Sequence, residues 1–504
     1  YLKYMAKIIN FTPRGYQASI LETCKEENTL VCLPTGTGKT KVAILLAIER
    51  LNKFPDSKVI VCSPTKPLTN QIKEEFRECT DLDPLFINAL TGLISPEERV
   101  TIWKRSSVIV ATPQTLENDL EKKRISFTDV SLLCIDECHR SKMRFANTGV
   151  AKFYFEQSRQ PRLLALTASP GSTKEGLQEV CDNLQIEAVE IRTEEDEDMQ
   201  EHIQEKKIDF VKVELPPELK KLRDVGKNFY LNKVKTLKSF GLTKPTSIVN
   251  KRDLLMMQGL LQQKIRQGNR SGYVGVSLVA QAIKVGYVVE LLETQTVHAV
   301  KLYLDKVSKE TSKAAKNITN AKEMINFKEK IDALDEQKVL HPKLTKLKEI
   351  VLEEINNDVE CKLIVFANFR NTVDEIVSLL KSEDIDARKF VGQADKETSG
   401  LKQKEQIELL NEFKDSMFNV LVASSVGEEG LDIPEVSAVI FYEPVASELR
   451  RTQRSGRTGR TKPGKVVYLV TKDTRDEAYH WVSQKKQNKM KEMLYKIQEK
   501  QTKL

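Results

Sequence analysis

Two sets of short, uninterrupted apolar runs constrain the fold of this 504-residue chain more than any other feature. A strand that is buried on one face alternates apolar and polar residues, whereas a strand covered on both faces, as in a parallel sheet, does not. The runs therefore indicate buried parallel strands. The first set is Leu30–Leu33, Val59–Cys62, Val108–Ala111, Leu132–Ile135 and Leu163–Leu166, and the second is Leu363–Phe366, Phe390–Val391, Val420–Ala423, Val439–Phe441 and Val466–Val470.

The spacing between the runs predicts an α/β fold with two parallel-sheet domains. Helical patterns of crossover length separate the runs, as βαβ units require. Between the two sets, the chain lacks strand-like runs and has helical spacing, which predicts a helical insert. We expect a first domain over 1–205, a basic helical insert over 206–340, a second domain over 341–484 and a charged tail over 485–504.

Positive charge is concentrated in the predicted insert. Residues 205–338 contain 26 Lys and Arg against 15 Asp and Glu, whereas the rest of the chain contains 54 against 57. An asymmetry of this size favours a surface that binds a polyanion such as nucleic acid, although a solvated helical face stays an alternative. The candidate contacts in the insert are Lys251, Arg252, Lys264, Arg266 and Arg270.

Composition excludes several other classes of protein. No apolar run approaches the roughly 18 residues of a membrane span, so we expect no membrane association. The eight cysteines include no Cys-x-x-Cys pair and lie mostly in strand-like runs. We interpret them as reduced core residues of an intracellular protein rather than disulfide or zinc ligands.

A glycine-rich segment between the first apolar run and a helical pattern predicts a phosphate-binding loop. Backbone N–H groups of such a loop surround phosphate, a lysine reaches the β- and γ-phosphates, and a hydroxyl ligates Mg²⁺. The general pattern begins with glycine, where this chain has Leu33. The predicted ATP-binding residues are Pro34, Thr35, Gly36, Thr37, Gly38, Lys39 and Thr40.

Two further motifs complete the expected catalytic set. Asp136 and Glu137 follow the run that ends at Ile135, where the first can hold Mg²⁺ and the second can activate water. In the second half, residues 453–460 place Gln453, Arg457 and Arg460 in a segment of regularly spaced arginines. An arginine that crosses a cleft towards a γ-phosphate stabilises the charge that develops during phosphoryl transfer.

Together these motifs make the chain similar to superfamily 2 helicases and translocases, which have two RecA-like domains. The resemblance implies roles for several smaller motifs. Gln17 would read adenine, and Gly427 and Asp432 would contact the phosphates and ribose. Nucleic-acid backbone would be held by Thr65, Lys66, Pro67, Thr112, Pro113 and Gln114, and hydrolysis would be coupled to domain movement by Thr167, Ala168 and Ser169.

A narrower resemblance connects the chain to archaeal Hef, a family related to the eukaryotic FANCM translocases. It is carried by residues 111–120, 166–173, 290–295 and 391–396. Hef-like proteins have a thumb-like insert and act on forked DNA. The resemblance therefore implies an ATP- and Mg²⁺-dependent DNA helicase in replication-fork processing and repair, located with the nucleoid in a prokaryotic cytoplasm, with replication or repair proteins as candidate partners.

Two alternatives to a fork-processing DNA helicase stay open. A duplex-RNA-stimulated translocase would share the motor and the insert, and an ATP-gated scaffold could bind junctions without unwinding them.

Hef proteins often add a nuclease module, but this chain reaches Leu504 without a Glu-Arg-Lys nuclease core. We therefore expect no cleavage activity from it.

Overall fold

The computed structural model describes residues 5–169, 173–202, 206–392, 403–424, 433–444, 454, 458, 464–478, 492 and 495. Its first domain is built on seven parallel strands in the order β3-β4-β2-β5-β6-β1-β7. These strands are β1 (Thr29–Cys32), β2 (Lys58–Cys62), β3 (Ile87–Leu90), β4 (Val108–Ala111), β5 (Val130–Ile135), β6 (Leu163–Thr167) and β7 (Ala188–Ile191).

Helices cover both faces of this sheet, as uninterrupted apolar strands require. Along β1, Leu30 and Cys32 enter one core, whereas Val31 and the following Leu33 enter the core on the opposite face. The helices are α1 (Gly15–Glu26), α2 (Lys39–Lys53), α3 (Lys66–Cys79), α4 (Pro96–Arg105), α5 (Pro113–Glu121), α6 (Ala146–Gln157), α7 (Lys174–Asn183) and α8 (Glu197–Gln200).

The second domain has six parallel strands in the order β10-β11-β9-β12-β13-β8. Its strands are β8 (Lys206–Val213), β9 (Leu363–Phe366), β10 (Ala387–Phe390), β11 (Val420–Ala423), β12 (Ala438–Phe441) and β13 (Gly464–Thr471). The described helices of this domain are α15 (Pro342–Asn357), α16 (Arg370–Lys381) and α17 (Gln403–Lys414). The predicted α/β class with two parallel sheets is confirmed.

Six helices form the insert and pack on one another through two apolar cores. They are α9 (Pro217–Leu237), α10 (Lys251–Arg266), α11 (Gly272–Thr294), α12 (Val297–Lys309), α13 (Lys313–Thr319) and α14 (Lys322–Glu336). The predicted start of the insert at residue 206 is wrong, because β8 pairs in parallel with β13 along its whole length. Residues 206–213 therefore belong to the second domain, and the helices begin at Pro217.

Three strands that the sequence did not reveal, β3, β7 and β8, all lie at sheet edges. An edge strand has a partner on one side only and accepts polar residues, so its sequence lacks a continuous apolar run. In β8, for example, Lys207 and Ile208 are exposed. The uninterrupted runs therefore mark the inner strands and, at Phe390, the end of the fourth edge strand β10, but they do not mark these three.

Helix α11 is, by length and composition, apolar enough to cross a bilayer, which the search for uninterrupted runs did not indicate. Half of its most apolar 18-residue window is buried inside the protein. Lys284 interrupts the apolar residues and pairs with Glu310 of the α12–α13 connection at 2.7 Å. Side chains such as Val279 and Val285 occupy the two cores of the insert, so packing against the other helices explains the apolar composition.

A buried ion pair attaches the start of α15 to the end of the second domain. Lys343 and Asp476 pair directly, and both side chains are almost completely inaccessible to water. Removal of one partner leaves the other charge buried and uncompensated.

We expect Lys343→Ala to reduce the free energy of unfolding of the second domain by about 3–5 kcal/mol, because Asp476 would lose its counter-charge. Urea denaturation would measure the change. Lys346→Ala is the matched control on the same helix, because Lys346 forms an exposed pair with Glu349 that contributes less than about 1 kcal/mol. Equal denaturation midpoints for the two variants would contradict the prediction.

Candidate active site

The predicted phosphate-binding loop connects the carboxyl end of β1 to α2. Gly36 and Gly38 have φ values of +82° and +83°, which side chains rarely adopt. A Cβ atom at Gly38 would also lie 2.6 Å from Nε2 of Gln17. The Thr37 hydroxyl donates to the carbonyl of Pro34 at 2.7 Å. The backbone conformation therefore favours glycine at Gly38, and a side chain there would in addition displace the amide of Gln17.

Lys39 begins α2, and its ammonium donates to the carbonyls of Leu33 and Pro34 at 3.3 and 3.4 Å. The side chain therefore lies along the loop at the N-terminus of a 15-residue helix. Backbone N–H groups and the helix dipole favour phosphate at such a terminus. Thr35, Lys39 and Thr40 are all partly exposed, so they are available to a ligand at the loop.

The structure places Gln17 against the phosphate-binding loop. Its Nε2 donates to the carbonyls of Thr37 and Gly38 at 3.3 and 3.4 Å, and its Oε1 accepts from the backbone of Arg14 at 3.0 Å. The neighbouring Tyr16 hydroxyl also donates to the Thr37 carbonyl. Gln17 thus supports the loop in this structure, and its predicted contact with adenine stays a prediction.

Asp136 and Glu137 follow β5, and three strands bring them to the loop. Strands β5, β6 and β1 are neighbours, so their carboxyl ends meet at one edge of the sheet. Desolvation and the charge of Glu137 raise the pKa of Asp136 to about 7, although Lys39 opposes the shift. Burial would raise the pKa of Glu137 as well, but the hydrogen bond from His139 and the charge of Lys39 lower it.

The geometry suits a magnesium ion that is shared with a nucleotide. Among the described residues, no group of three or more His, Cys, Asp and Glu side chains could hold a metal ion. Mg²⁺ in nucleotide sites usually takes one or two protein ligands, and phosphates and water complete its octahedron. Desolvation and the neighbouring Glu137 disfavour a negative charge at Asp136, and a cation held with Thr40 would compensate that charge.

His139 connects the acidic pair to the segment predicted to couple hydrolysis to movement. Its Nδ1 lies 3.3 Å from Oε2 of Glu137 and 3.3 Å from Oγ1 of Thr167. Thr167 in turn donates to the carbonyl of Ser169 and accepts from the Ser169 backbone, each at 3.1 Å. Thr167, Ala168 and Ser169 are buried. Any movement of this segment would therefore act directly on His139, whose role the sequence motifs did not reveal.

The two predicted backbone-binding segments lie at the same edge of the sheet. Thr65, Lys66 and Pro67 follow β2 and begin α3, and Thr112, Pro113 and Gln114 follow β4 and begin α5. Because β2 and β4 are neighbours, the two helix N-termini lie side by side. Neither helix has a side-chain cap. Both termini can therefore direct backbone N–H groups at phosphate.

A buried ion pair that the sequence analysis missed fixes the orientation of α5. Arg99 of α4 donates to both oxygens of Asp119, from Nε at 2.6 Å and from a terminal nitrogen at 2.8 Å. Arg124 adds a third bond at 3.0 Å. Burial would raise the pKa of Asp119, but the two arginines hold it below its ordinary value. The partners are 20 and 5 residues from Asp119, so no local motif could have indicated them.

In the second domain, one arginine of the predicted arginine segment is described. Arg454 is fully buried, lies over the ring of Phe366 at 4.8 Å and donates to Oδ1 of Asn368 at 3.3 Å. Asn368 follows β9, where the resemblance places the fourth motif. The predicted residues Gly427, Asp432, Gln453, Arg457 and Arg460 lie outside the described residues.

The candidate nucleic-acid residues of the insert are exposed around the α10–α11 hairpin. Lys251 and Arg252 begin α10, Lys264 and Arg266 end it, and Arg270 lies in the following turn. Lys251 and Arg252 also line a cavity of about 530 Å³, whose other lining residues include Tyr230, Tyr287 and Arg475. Basic and aromatic groups together suit phosphates and bases.

Comparisons with known proteins agree with this arrangement of domains. A family profile described as "DEAD/DEAH box helicase" matches residues 14–177, and one described as "Helicase conserved C-terminal domain" matches residues 342–462. Residues 218–341 match a third profile, "Putative ATP-dependent RNA helicase, helical bundle". The three matches correspond to the first sheet, the second sheet and the helices between them.

Among solved structures, the helicase domain of Hef from Pyrococcus furiosus aligns with a TM-score of 0.75 and 43% identity, over 94% of this chain and 98% of that one. "Putative ATP-dependent RNA helicase MJ1505" of Methanocaldococcus jannaschii is 37% identical over 95% of this chain and 60% of its own length. "ATP-dependent DNA helicase mph1" of Neurospora crassa is 32% identical over 93% of this chain and 42% of its own length. The chain thus spans about half the length of these two relatives.

We expect Lys39→Ala and Asp136→Ala each to lower the ATPase rate by at least about 100-fold, because each removes a charge that acts on the phosphates or their cation. Nucleic-acid affinity should stay close to that of the unmodified protein, since neither side chain lies at α3 or α5. A coupled phosphate-release assay and a binding titration would measure the two quantities.

Lys53→Ala is the matched control for Lys39→Ala, because Lys53 is an exposed lysine at the other end of α2. It should keep the full ATPase rate. Near-normal hydrolysis by the Lys39 or Asp136 variant would show that the nucleotide site lies elsewhere.

Proposed function

The chain belongs to the Hef- and FANCM-like helicases of superfamily 2, which are ATP-dependent enzymes, and from this premise we propose that it acts on forked or branched DNA. The observation that carries the proposal is the charge of the α10–α11 hairpin. Residues 244–284 contain seven Lys and Arg but only one acidic residue, Asp253. That carboxylate is already paired with Lys244 at 2.5 Å.

Two separate surfaces that would bind phosphate support a branched substrate. One comprises the N-termini of α3 and α5 in the first domain, and the other is the basic hairpin of the insert. Both surfaces would contact the phosphate backbone of the nucleic acid, and such contacts provide affinity without sequence specificity. A protein that recognises the shape of a junction needs to hold more than one arm, and two such surfaces meet this need.

ATP would bind at the edge where β1 and β5 end. Lys39 would neutralise phosphate charge, and Glu137, which is hydrogen-bonded to His139, would accept a proton from the attacking water. Thr40 and Asp136 would hold Mg²⁺, which would supply charge neutralisation when bound. The resemblance assigns the remaining charge stabilisation to Arg457 and Arg460, so that hydrolysis depends on closure of the two domains.

DNA is the proposed substrate because relatives that match across both domains and the insert are named as DNA helicases. Such a substrate would place the protein with the chromosome, which in a prokaryotic cell is the nucleoid. Duplex RNA is the second candidate, because the profile that matches the insert and the relative from Methanocaldococcus jannaschii are both named as RNA helicases.

We expect forked DNA to stimulate ATP hydrolysis more than single-stranded DNA, blunt duplex DNA or duplex RNA, because only a fork engages both surfaces at once. Phosphate release at saturating concentrations of each nucleic acid would measure the effect. A strand-displacement assay on the same fork would separate a helicase from an ATP-gated scaffold. Stronger stimulation by duplex RNA would contradict the assignment to DNA.

We also expect glutamine at Lys251, Arg252, Lys264, Arg266 and Arg270 to weaken binding of forked DNA and to flatten its salt dependence. Each lost phosphate contact on duplex DNA lowers the slope of log affinity against log salt by about 0.9. Fluorescence anisotropy over a range of salt concentrations would measure that slope.

A matched variant replaces five exposed lysines elsewhere in the insert with glutamine. The five lysines are Lys313, Lys316, Lys322, Lys330 and Lys338. This lysine variant removes the same amount of positive charge from another part of the insert, and it should change the slope of log affinity against log salt less. Equal slopes for the two variants would mean that net charge, rather than the α10–α11 hairpin, determines binding.

A further inference from the structure

Exposed apolar side chains are concentrated on the α10–α11 hairpin, which the proposed function uses only for its charge. Of the 22 large apolar side chains that are exposed in the described part of the chain, six lie between positions 248 and 274. They are Ile248, Leu255, Met256, Leu260, Tyr273 and Val274. Single apolar residues scattered over a surface are ordinary, whereas a group of them indicates a surface that another molecule covers.

Three of these residues share the outer side of α10. The inner side of the helix, with residues such as Leu254 and Leu261, is buried in a core of the insert. On the outer side, Leu255, Met256 and Leu260 are 50%, 62% and 56% exposed. Met256 and Leu260 are four residues apart and therefore adjacent on the helix surface, and Leu255 flanks Met256. These three residues are called the α10 apolar patch below.

A glycine that neither backbone conformation nor packing requires lies within the patch. Gly259 has no positive φ, and a Cβ atom there would have no contact within 4 Å beyond its neighbours in the helix. Glycine makes a helix less stable than alanine does, because it loses more conformational freedom on folding. A bare backbone is useful where a ligand approaches closely. Gly259 therefore supports contact with a partner that lies flat on this side of α10.

Basic residues border the patch towards both ends of α10. Arg252 precedes Met256 by four residues and Lys264 follows Leu260 by four, so each is adjacent to the patch on the helix surface. The two basic residues are about 18 Å apart along the helix axis, at roughly 1.5 Å per residue, which is comparable to the width of a nucleic-acid duplex. The one acidic residue of the hairpin is already paired. The outer side of α10 is thus apolar in its middle and positive at its ends.

This combination fits the branch point of a nucleic acid. Phosphates would not approach the patch, because an apolar surface removes their hydration without replacing it. Base faces are apolar, but within a continuous duplex each of them is covered by the next base pair. A face is exposed only at an end or where the strands part, and leucine and methionine are among the side chains that pack against bases there. A second copy of the chain is disfavoured, because its Arg252 and Lys264 would meet like charges.

We propose that the α10 apolar patch is a binding site for the last base pair before a branch point, with the basic residues at both ends of α10 on the phosphates around it. The three side chains take the place of the first unpaired base, which otherwise stacks on that pair. The inference rests on the proposed function, because it concerns the same substrate. It deepens that function by naming residues that distinguish a branch from a continuous duplex, whereas positive charge alone provides affinity for both.

A triple variant, Leu255→Gln with Met256→Gln and Leu260→Gln, tests the site. Glutamine is a good helix former and carries no charge, so the fold and the salt dependence of binding should be unchanged. We expect the affinity for forked DNA to fall about tenfold, which corresponds to the loss of one stacking contact with a base. The affinity for a covalently closed circular duplex should stay the same, because such a duplex exposes no base face. Fluorescence anisotropy would measure both affinities.

A fluorescent base analogue reports the contact directly. Stacking quenches 2-aminopurine, so this base at the first unpaired position of one arm is dim while it stacks on the duplex. Its fluorescence should rise when the unmodified protein binds the fork without ATP, because the patch displaces it from the last base pair. The triple variant should leave the fluorescence unchanged, even at protein concentrations that saturate the fork.

The matched control introduces glutamine at three exposed apolar residues elsewhere in the insert, Val225, Leu302 and Ile325. It should keep both the affinity for forked DNA and the fluorescence rise. Gly259→Ala should raise the melting temperature and still weaken binding of the fork, because the added methyl group projects into the site, and this result would exclude loss of folding as the cause.

The outcomes separate this inference from the proposed function. A triple variant that binds the fork and raises the fluorescence as the unmodified protein does would overturn the inference, and the α10 apolar patch would then fit a protein partner instead. If the unmodified protein does not prefer the fork to the circular duplex, the proposed function fails, whereas a fluorescence rise that the triple variant lacks would still support the contact with bases.

Discussion

The site depends on the adjacency of β1, β5 and β6 in a parallel sheet. In such a sheet, every strand ends at the same edge, so residues far apart in sequence meet without any long loop. The phosphate-binding loop follows β1, the acidic pair follows β5 and the Thr167–Ser169 segment follows β6. The hydrogen bond from the backbone of Leu33 to the carbonyl of Thr167, at 3.1 Å, continues the β1–β6 pairing into the functional loops. Burial of the strands on both faces holds this edge in place.

The sequence predicted what local patterns can encode. The inner strands are continuous apolar runs because both of their faces are covered, and the phosphate-binding loop is local because one turn contains all its parts. Both the phosphate-binding loop with Lys39 and the acidic residue Asp136 lie at one edge of the sheet, and their catalytic roles stay predictions. The edge strands β3, β7 and β8 were missed because exposure admits polar residues. Strand β8 also pairs with β13, which lies about half the chain away in sequence, and no local signal reports such a partner.

Contacts that depend on tertiary partners could not be predicted from local sequence patterns either. Arg99 reaches Asp119 from another helix, and His139 lies between Glu137 and Thr167. Gln17 illustrates the converse case. The resemblance assigned it to a ligand, but its amide group bonds to the backbone of the loop. A motif therefore identifies the residue, whereas the set of bonds that the residue makes depends on the fold around it.

Helix α11 connects the proposed polyanion surface to the second domain. It begins two residues after Arg270 and ends next to Gln295, and its 23 residues span about 34 Å at roughly 1.5 Å per residue. Its middle packs in two apolar cores, which accounts for its apolar composition. The helix therefore leads from the basic hairpin to the buried polar contacts that Gln295 and Thr296 make with α16.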